Sequence, residues 1–380
     1  MPFPAPDPDL AVELITGRRD PVPLLAEAAR LRDEGKGRVV TYSRKVFIPV
    51  TTLCRDTCTY CTFAKPPGAG GEYLTPPDVM AIARAGEAHR CTEALLTLGD
   101  RPEDRWPQAR EFLREHGCET TLDYVRTMSE RVVGETAVFP HANPGVMDDA
   151  AIAALRPSNV SMGLMLENIS PRLMEPGMPH HNCPDKDPLV RIATIEAAGR
   201  AKVPFTSGVL IGIGETPREI VDSLFALAAL QLRWGHIQEV IVQNFRAKAD
   251  TRKRRDAEPT VQFFARVVAA SRWILGPEMN LQVPPNLTTD FGVYLDAGIN
   301  DWGGVSPLTI DWVNPEAPWP HLAKLDAITA AAGFALRPRL PVYPEYLTPE
   351  WIDAGLLPKA LGAVDGDGYA LAPQLEEATP

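Results

Sequence analysis

A loop with three cysteines constrains this chain more than any other feature of its sequence. Cys54, Cys58 and Cys61 occur in the run TTLCRDTCTYCTF, spaced C-x3-C-x2-C, directly after the strand-like segment KVFIPVTT. Three thiolates at this spacing can bind three irons of a 4Fe-4S cluster and leave the fourth iron open to a substrate. Structural zinc usually takes four ligands from two cysteine pairs, and no second pair follows. The spacing therefore predicts a 4Fe-4S cluster, with zinc as the alternative.

The middle of the chain has the pattern of an α/β barrel. Between about Lys45 and Gly304, eight apolar runs rich in Val, Ile and Leu alternate with segments of helical period. Such runs are typical of strands covered on both faces, and alternation with helices requires parallel crossovers. Eight units would close a TIM-type (β/α)8 barrel, with functional residues at the carboxyl ends of the strands. An open barrel of six units is the alternative.

Proline is dense at both ends of the chain, so irregular N-terminal and C-terminal segments are expected around the barrel. We predict a lead segment at 1–44, the barrel at 45–305 and a C-terminal extension at 306–380.

Charge and composition exclude two classes of partner. The net charge of -11 argues against nucleic acid, whose phosphates are bound by clustered Lys and Arg. No apolar run reaches the ~18 residues of a membrane span, and the first residues lack a signal-peptide pattern. Cys91, Cys118 and Cys183 are scattered singly, as is typical of reduced thiols. We therefore expect a cytoplasmic protein with no nucleic-acid or membrane partner.

Several strand candidates end in glycine or a carboxylate. The second ends at Gly99 and Asp100, a pair that is also common in ordinary turns. The fourth ends near Glu167, an acid that must find partners or line a cavity because burying it unpaired is costly. The glycine-rich run at 208–214 has neither the Walker lysine nor the G-x-G-x-x-G spacing of a phosphate loop. Glu215, which follows it, is expected to cap the next helix.

Polar side chains also follow three other strand candidates. Each alone is more often a satisfied loop residue than a ligand, but around a barrel mouth they would suit a large polar substrate. A long loop after the fourth strand holds two adjacent His residues, for which acid-base work or packing fits better than metal binding. The polar residues are His141, Asn143, Gln243, Asn244, Arg246, Asn286, Thr288 and Thr289, and the loop residues are His180 and His181.

The cysteine loop is similar to the signature of the radical S-adenosylmethionine (SAM) enzymes, C-x3-C-x-aromatic-C, with Tyr60 in the aromatic position. This resemblance implies a 4Fe-4S cluster held by the three cysteines, an open iron that binds SAM, and a 5'-deoxyadenosyl radical formed by one-electron cleavage. It also implies SAM contacts from residues 99–100, from Glu167, from the G-x-I-x-G-x-x-E run and from a basic residue, either Lys186 or Arg191. The implied SAM-binding residues are Tyr60, Gly99, Asp100, Glu167, Lys186, Gly208 and Ile213.

Longer strings resemble one family of these enzymes, FO synthase subunit 1 (7,8-didemethyl-8-hydroxy-5-deazariboflavin synthase). They include GEYLTPPDV, GLMLENISPRLM, HHNCPDKDP, PFTSGVLIGIGET, EVIVQNFRAK and INDWGGVSPLTIDWVNPEAPWP, within about residues 42–320. The resemblance implies a role in deazaflavin (coenzyme F-420) biosynthesis, in which an adduct of tyrosine and 5-amino-6-(D-ribitylamino)uracil becomes the deazaflavin with release of ammonia. It further implies FO synthase subunit 2 as the functional partner that makes the adduct, and a reductant such as flavodoxin or ferredoxin.

Within this resemblance, roles are expected for the polar residues at the strand ends. The substrate-binding residues are expected to be Asn143, Gln243, Asn244, Arg246 and Asn286, and the acid-base candidates are His141, His180 and Asp290. Three alternatives stay open. One is another radical SAM enzyme of the same branch, such as the tyrosine-coupling subunit or a menaquinone-pathway enzyme. The others are a non-catalytic Fe-S protein, which would need a fourth cysteine near the cluster, and a zinc-binding interaction protein.

Overall fold

The computed structural model describes residues 3–289 and 291–371 and is built around a closed parallel barrel. Eight strands follow one another around the ring in chain order, and the second pairs with the first to close it. They are β1 (Val39–Thr51), β2 (Glu93–Leu98), β3 (Phe139–Asn143), β4 (Ser161–Gly163), β5 (Phe205–Ile211), β6 (Ile237–Asn244), β7 (Asn280–Gln282) and β8 (Asp301–Val305). The predicted (β/α)8 barrel is confirmed, and the alternative of an open barrel with six units is wrong.

Helices surround the strands, and local sequence sets where they begin. They are α1 (Pro8–Thr16), α2 (Val22–Lys36), α3 (Pro76–Ala88), α4 (Pro107–Glu115), α5 (Thr121–Glu135), α6 (Asp149–Leu155), α7 (Pro188–Arg200), α8 (Pro217–Trp234), α9 (Val261–Leu275), α10 (Phe291–Asp296), α11 (Leu322–Ala331) and α12 (Leu357–Leu361). Thr120 with Asp123, and Thr216 with Glu219, form capping boxes at the starts of α5 and α8. The apolar faces of these helices bury the main core against the strands. None of the helices within 3–289 and 291–371 is both long and apolar enough to cross a membrane.

The terminal segments are more regular than their proline content predicts. Helices α1 and α2 pack against α8 and α9, and the Arg266 side chain donates a hydrogen bond of 2.8 Å to the Ile15 carbonyl. At the other end, β9 (Ala335–Arg339) pairs in parallel with residues 39–43 of β1. Proline is tolerated there because β9 is an edge strand, where Pro338 need not donate to a further neighbour. The expectation of irregular ends is therefore corrected: both segments contain regular elements that pack on the barrel.

A buried ion-pair cluster attaches β9 to the amino-terminal end of the barrel. The Arg339 guanidinium lies 2.7 Å from the carboxylate of Asp301 and 3.0 Å from that of Glu239. The Tyr343 hydroxyl donates to the same Glu239 oxygen at 3.0 Å. Burial, and next the charge of Asp301, raises the pKa of Glu239 to about 7, although Arg339 opposes the shift. The C-terminal extension thus covers the amino-terminal end of the barrel, which we call the floor. There the buried cation of Arg339 and the carboxylates of Asp301 and Glu239 compensate one another's charge.

The buried imidazole of His236 predicts a defined acid sensitivity. Burial lowers the pKa of His236 to about 4 from the usual 6.5. Between these values the unfolded chain binds the proton and the folded chain does not, so stability falls as pH falls from 6.5 to 4. We expect His236→Leu to reduce the loss of unfolding free energy between pH 7 and pH 5 by about 2 kcal/mol. Urea titrations at both pH values measure this difference, and an unchanged pH dependence would contradict it.

Candidate active site

A cavity of about 310 Å³ opens at the carboxyl ends of the barrel strands. It brings together most of the residues that the sequence selected, although they come from seven different segments of the chain. Those that line it are Cys54, Cys58, Tyr60, Cys61, Gly99, Asp100, Asn143, Glu167, Lys186, Gln243, Asn244, Arg246 and Asn286. His141, His180, Gly208 and Ile213 do not line it. Asp290 lies outside the described residues.

The cysteine loop is held against the end of β2. The Gly99 amide donates to the Thr51 carbonyl at 3.0 Å, and the Arg55 amide donates to the Asp100 carbonyl at 2.9 Å. A side chain at Gly99 could not be accommodated, because its Cβ would lie 1.9 Å from the Leu53 carbonyl oxygen. The Asp100 amide in turn donates to the Cys54 sulfur at 3.2 Å. Amide donors to cluster thiolates stabilise their negative charge, so this contact suits a metal-bound Cys54.

The donor set fits the cluster that the loop spacing predicts. Three thiols share one cavity wall, and in the described ranges no three His, Cys, Asp or Glu side chains surround a single point as one metal ion requires. A 4Fe-4S cluster binds each thiolate at a different iron and does not need them to converge. Beside the thiols, the Oδ1 atom of Asp100 is buried and has no hydrogen-bond partner in the described part of the chain. Burial, and next the charge of Asp185, raises the pKa of the Asp100 carboxyl to about 8.

A fourth cysteine, Cys183, lies against the cysteine loop, although its position in the sequence predicted an isolated thiol. Cys183 is fully buried, and its sulfur accepts a hydrogen bond of 3.3 Å from the Thr57 amide. Its hydrogen bond with Cys58, together with burial, raises the pKa of the Cys58 thiol well above the usual range. No spacing rule relates positions 58 and 183, so only the fold reveals this contact.

Glu167 is held in a strained backbone conformation and paired with lysine. Its φ is 62°, a left-handed value that is uncommon outside glycine. Its carboxylate lies 2.7 Å from the Lys186 ammonium and 3.9 Å from the Arg191 guanidinium. Burial alone would raise the pKa of Glu167, but Lys186 and then Arg191 outweigh it, so the pKa lies below the usual value. Of the two basic residues left open by the sequence, Lys186 is the closer partner of Glu167.

Glu215 holds the backbone at 212–214, the part of the glycine-rich run that follows β5. Its carboxylate accepts hydrogen bonds from the amides of Gly212, Ile213 and Gly214 at 2.6, 2.8 and 3.0 Å. The expectation that Glu215 caps the next helix is wrong, since Thr216 and Glu219 form that cap. Ile213 itself is buried in a small apolar cluster with Leu173, Leu210 and Phe245. Gly208 lies within β5, where a Cβ would come within 2.2 Å of the Ile241 carbonyl oxygen.

The two histidines proposed for acid-base work lie at different depths. His180 is buried behind Tyr60, and its Nε2 lies 2.9 Å from the Tyr60 hydroxyl. Burial, and next the charge of Lys186, lowers the pKa of His180 to about 3. His141 faces the inside of the barrel below the cavity, and burial lowers its pKa to about 4. Both imidazoles are therefore neutral at pH 7.

Lys45 is a cavity residue that the sequence analysis did not select. It lies on β1 with 9% of its surface exposed, and its ammonium sits 4.9 Å from the Trp319 ring centre. Across the described ranges, that ammonium has no hydrogen-bond or ion-pair partner in the chain. The available signal was a charged residue at the start of the apolar run KVFIPVTT. A buried cation without an anion is costly unless a ligand or water meets it, so Lys45 belongs with the candidate site.

Comparisons with known proteins agree with this geometry. The model of the radical SAM superfamily matches residues 48–227. The FO synthase of Streptomyces avermitilis is 51% identical over 372 residues, which cover 94% of this chain and 43% of that protein. The chain thus spans less than half the length of that relative. The 7,8-didemethyl-8-hydroxy-5-deazariboflavin synthase of Methanopyrus kandleri is 46% identical over 334 residues, covering 87% of this chain and 100% of that protein.

Among solved structures, the FeFe-hydrogenase maturase HydG from Carboxydothermus hydrogenoformans matches with a TM-score of 0.70. Its identity is 18%, with 94% of this chain and 80% of that chain covered, so this likeness shows a shared fold alone. The superfamily match implies a 4Fe-4S cluster and SAM as cofactors. The chain therefore belongs to the radical SAM superfamily and, within it, to the family of 7,8-didemethyl-8-hydroxy-5-deazariboflavin synthases.

Proposed function

We propose that this chain converts the adduct of tyrosine and 5-amino-6-(D-ribitylamino)uracil to 7,8-didemethyl-8-hydroxy-5-deazariboflavin, with ring closure and release of ammonia. The observation that carries the proposal is one cavity that joins the cysteine loop to a ring of polar strand-end residues. A substrate bound to that ring would lie within reach of chemistry started at the loop. The match to the whole length of the Methanopyrus kandleri synthase supports the same reaction.

In this proposal Cys54, Cys58 and Cys61 hold the cluster. When bound, the cluster supplies the electron that cleaves SAM and so provides the radical for hydrogen abstraction. The loop residues hold the sulfur ligands in place through the amide of Asp100 and the tight contact at Gly99. The SAM-binding residues are proposed to be Tyr60, Gly99, Asp100, Glu167, Lys186, Gly208 and Ile213. Gly208, within β5, and Ile213, in the turn after it, are proposed to act through their backbone.

The substrate is proposed to bind to the polar strand-end residues that line the same cavity as the cysteine loop. Two of them support this role, because the Oδ1 atoms of Asn244 and Asn286 are buried with no hydrogen-bond partner among the residues that the structure describes. Buried polar atoms are usually satisfied, so a ligand is a natural partner. The proposed set is Asn143, Gln243, Asn244, Arg246 and Asn286. For proton transfer we favour His141, since its neutral imidazole faces the barrel interior whereas His180 is screened by Tyr60.

The proposal includes a division of labour between proteins. FO synthase subunit 2 would supply the adduct, and a flavodoxin or ferredoxin would supply the electron. The six cysteines are all free thiols in the structure, which supports a reducing location such as the cytoplasm.

Glu167 gives a test of the SAM site. Glu167→Gln removes the charge that meets Lys186, and we expect it to weaken SAM binding by roughly 10-fold to 100-fold, since a charged hydrogen bond contributes about 1.5–3 kcal/mol. Anaerobic calorimetry on protein with a full cluster measures the change. Glu350→Gln, in an exposed pair with Lys202, is the control and should bind SAM normally. Unchanged affinity in the Glu167 variant would make this residue purely structural.

The reaction itself is tested by the choice of substrate. The anaerobically reconstituted chain with SAM and reductant should make no deazaflavin from tyrosine and the ribitylaminouracil. Given the adduct made by subunit 2, it should form a fluorescent deazaflavin and ammonia. A reactive radical is selective only when the bound substrate presents a single C–H bond to it, so the cavity should fit the adduct and not its smaller precursors. A chain that cleaves SAM but leaves the adduct unchanged would point to another enzyme of the same branch.

A further inference from the structure

A second cavity of about 100 Å³ lies inside the barrel, below the active cavity. The two share wall residues, among them Lys45, Asn143 and Gln282. Arg339 and Pro341 of the C-terminal extension border the inner cavity. We call this space the inner chamber, defined by Lys45, Glu93, His141, Asn143, Thr206, Glu239 and Gln282.

The inner chamber is polar at a depth where barrels are usually packed with branched apolar side chains. Glu93, His141, Thr206 and Glu239 face it, and each is less than 9% exposed. A glycine keeps part of the space open: a Cβ at Gly304 would lie 2.1 Å from the Lys45 side chain. At this level the barrel interior is therefore a cavity lined by hydrogen-bonding groups in place of packed apolar side chains.

Several of these groups have hydrogen-bonding capacity that the protein leaves unused. In the part of the chain that the structure describes, the side chains of Lys45, Asn143 and Gln282 have no hydrogen-bond or ion-pair partner. His141 uses Nδ1, which lies 2.6 Å from the Ser161 hydroxyl, and leaves Nε2 available. Glu93 accepts from Ser43 through one carboxylate oxygen and has the other available. Polar groups that line an internal cavity usually meet ordered water or a polar ligand, so the inner chamber suits a polar occupant.

We propose that the inner chamber binds a polyol chain, the ribityl group of the substrate, an inference that rests on the proposed function. Every hydroxyl of a polyol both donates and accepts a hydrogen bond. The chamber offers donors at Lys45, Asn143 and Gln282, and acceptors at Glu93 and His141. A chamber of this size holds several ordered waters or a short chain with a similar number of atoms.

This placement also orients the rest of the molecule. With the polyol below, the aromatic part of the substrate remains in the upper cavity, where Phe47, Phe63 and Phe245 lie among the wall residues together with the cysteine loop. Lys45 lies on the walls of both cavities. Its ammonium can therefore donate a hydrogen bond to a substrate oxygen located between the polyol and the aromatic part. The polyol then acts as an anchor that fixes which C–H bond faces the loop.

The test compares two ligands and two variants on the cluster-loaded chain. The ligands are the ribityl deazaflavin and an analogue with methyl in place of ribityl, and binding is followed by the deazaflavin fluorescence. Gln282→Leu removes an amide that faces the chamber, and Gln262→Leu changes an exposed position on α9 as the matched control. Asn143→Leu serves as a second chamber variant if Gln282→Leu does not fold.

The wild-type chain and the Gln262 variant should bind the ribityl compound at least about 10-fold more tightly than the methyl analogue. The chamber variant should lose on the order of 10-fold for the ribityl compound and bind the methyl analogue as before. Equal wild-type affinity for the two ligands, or an equal loss for both in the chamber variant, would show that the chamber holds only water and overturn the inference while leaving the function intact. Failure of the wild-type chain to bind either ligand would contradict the proposed function itself.

Discussion

Replacing any one of Cys54, Cys58 and Cys61 with Ala is expected to abolish the cluster and reduce SAM cleavage to background. Each of the three thiols is one of only three protein ligands in our account, and a cluster held by two is not expected to survive reconstitution. All three side chains lie on the wall of the same cavity. Iron and sulfide content after anaerobic reconstitution, together with release of 5'-deoxyadenosine from SAM, measure the effect.

Cys183 provides the matched control for this prediction. It is buried and hydrogen-bonded to Cys58, yet it belongs to a different loop. We expect Cys183→Ala to retain the iron, the sulfide and SAM cleavage, because in our proposal its thiol contacts the ligand Cys58 and does not itself bind iron. Normal iron content in any of the three loop variants would refute the assignment. Complete loss of the cluster from the Cys183 variant would instead make Cys183 a fourth ligand and favour a non-catalytic Fe-S protein.

Arg339→Met is expected to destabilise the fold by about 3–5 kcal/mol, because it leaves the carboxylates of Asp301 and Glu239 buried without their cation. The pKa of Glu239 is already raised to about 7, and loss of the guanidinium would raise it further. A carboxyl whose folded pKa lies above its unfolded value binds more protons in the folded state, so stability falls as pH rises through that window. The destabilisation should therefore be greater at pH 8 than at pH 5.

Arg337→Met is the control for this effect within the same strand. Arg337 pairs with Asp365, and its side chain is 31% exposed. Water can therefore solvate the carboxylate that the substitution leaves without its cation. Exposed pairs of this kind typically contribute about 0–1 kcal/mol. Urea unfolding of both variants at pH 5 and pH 8 makes the comparison. Similar losses in the two variants would contradict the view that the floor of the barrel depends on its buried charges.

The barrel could be predicted because its signals are local. Continuous apolar strands and capped helices each occupy one stretch of chain, and the spacing of Cys54, Cys58 and Cys61 lies within a single loop. The strand-end rule then placed most of the selected polar residues around one cavity, since parallel strands of a barrel end on the same side.

The features that were missed depend on contacts between distant parts of the chain. Cys183 meets Cys58 only because the loop after β4 folds over the cysteine loop. β9 pairs with β1 across almost 300 residues, and its proline content concealed it because only an edge strand tolerates proline. Glu215 was assigned to the wrong backbone amides, because a carboxylate before a helix can accept hydrogen bonds either from the first amides of the helix or from the amides that precede it in the chain. Lys45 becomes informative only once the structure shows that, within 3–289 and 291–371, no anion reaches its ammonium.

The most direct measurement of the central claim is hydrogen transfer to 5'-deoxyadenosine. The adduct is prepared by subunit 2 from deuterium-labelled tyrosine, purified and given to this chain with SAM and a reductant. Our account predicts that deuterium passes from the adduct into 5'-deoxyadenosine as the fluorescent deazaflavin forms, because the substrate bound beside the cysteine loop supplies the abstracted hydrogen. Deuterium that enters 5'-deoxyadenosine from free labelled tyrosine, without subunit 2, would show that this chain is the coupling enzyme and contradict the assignment.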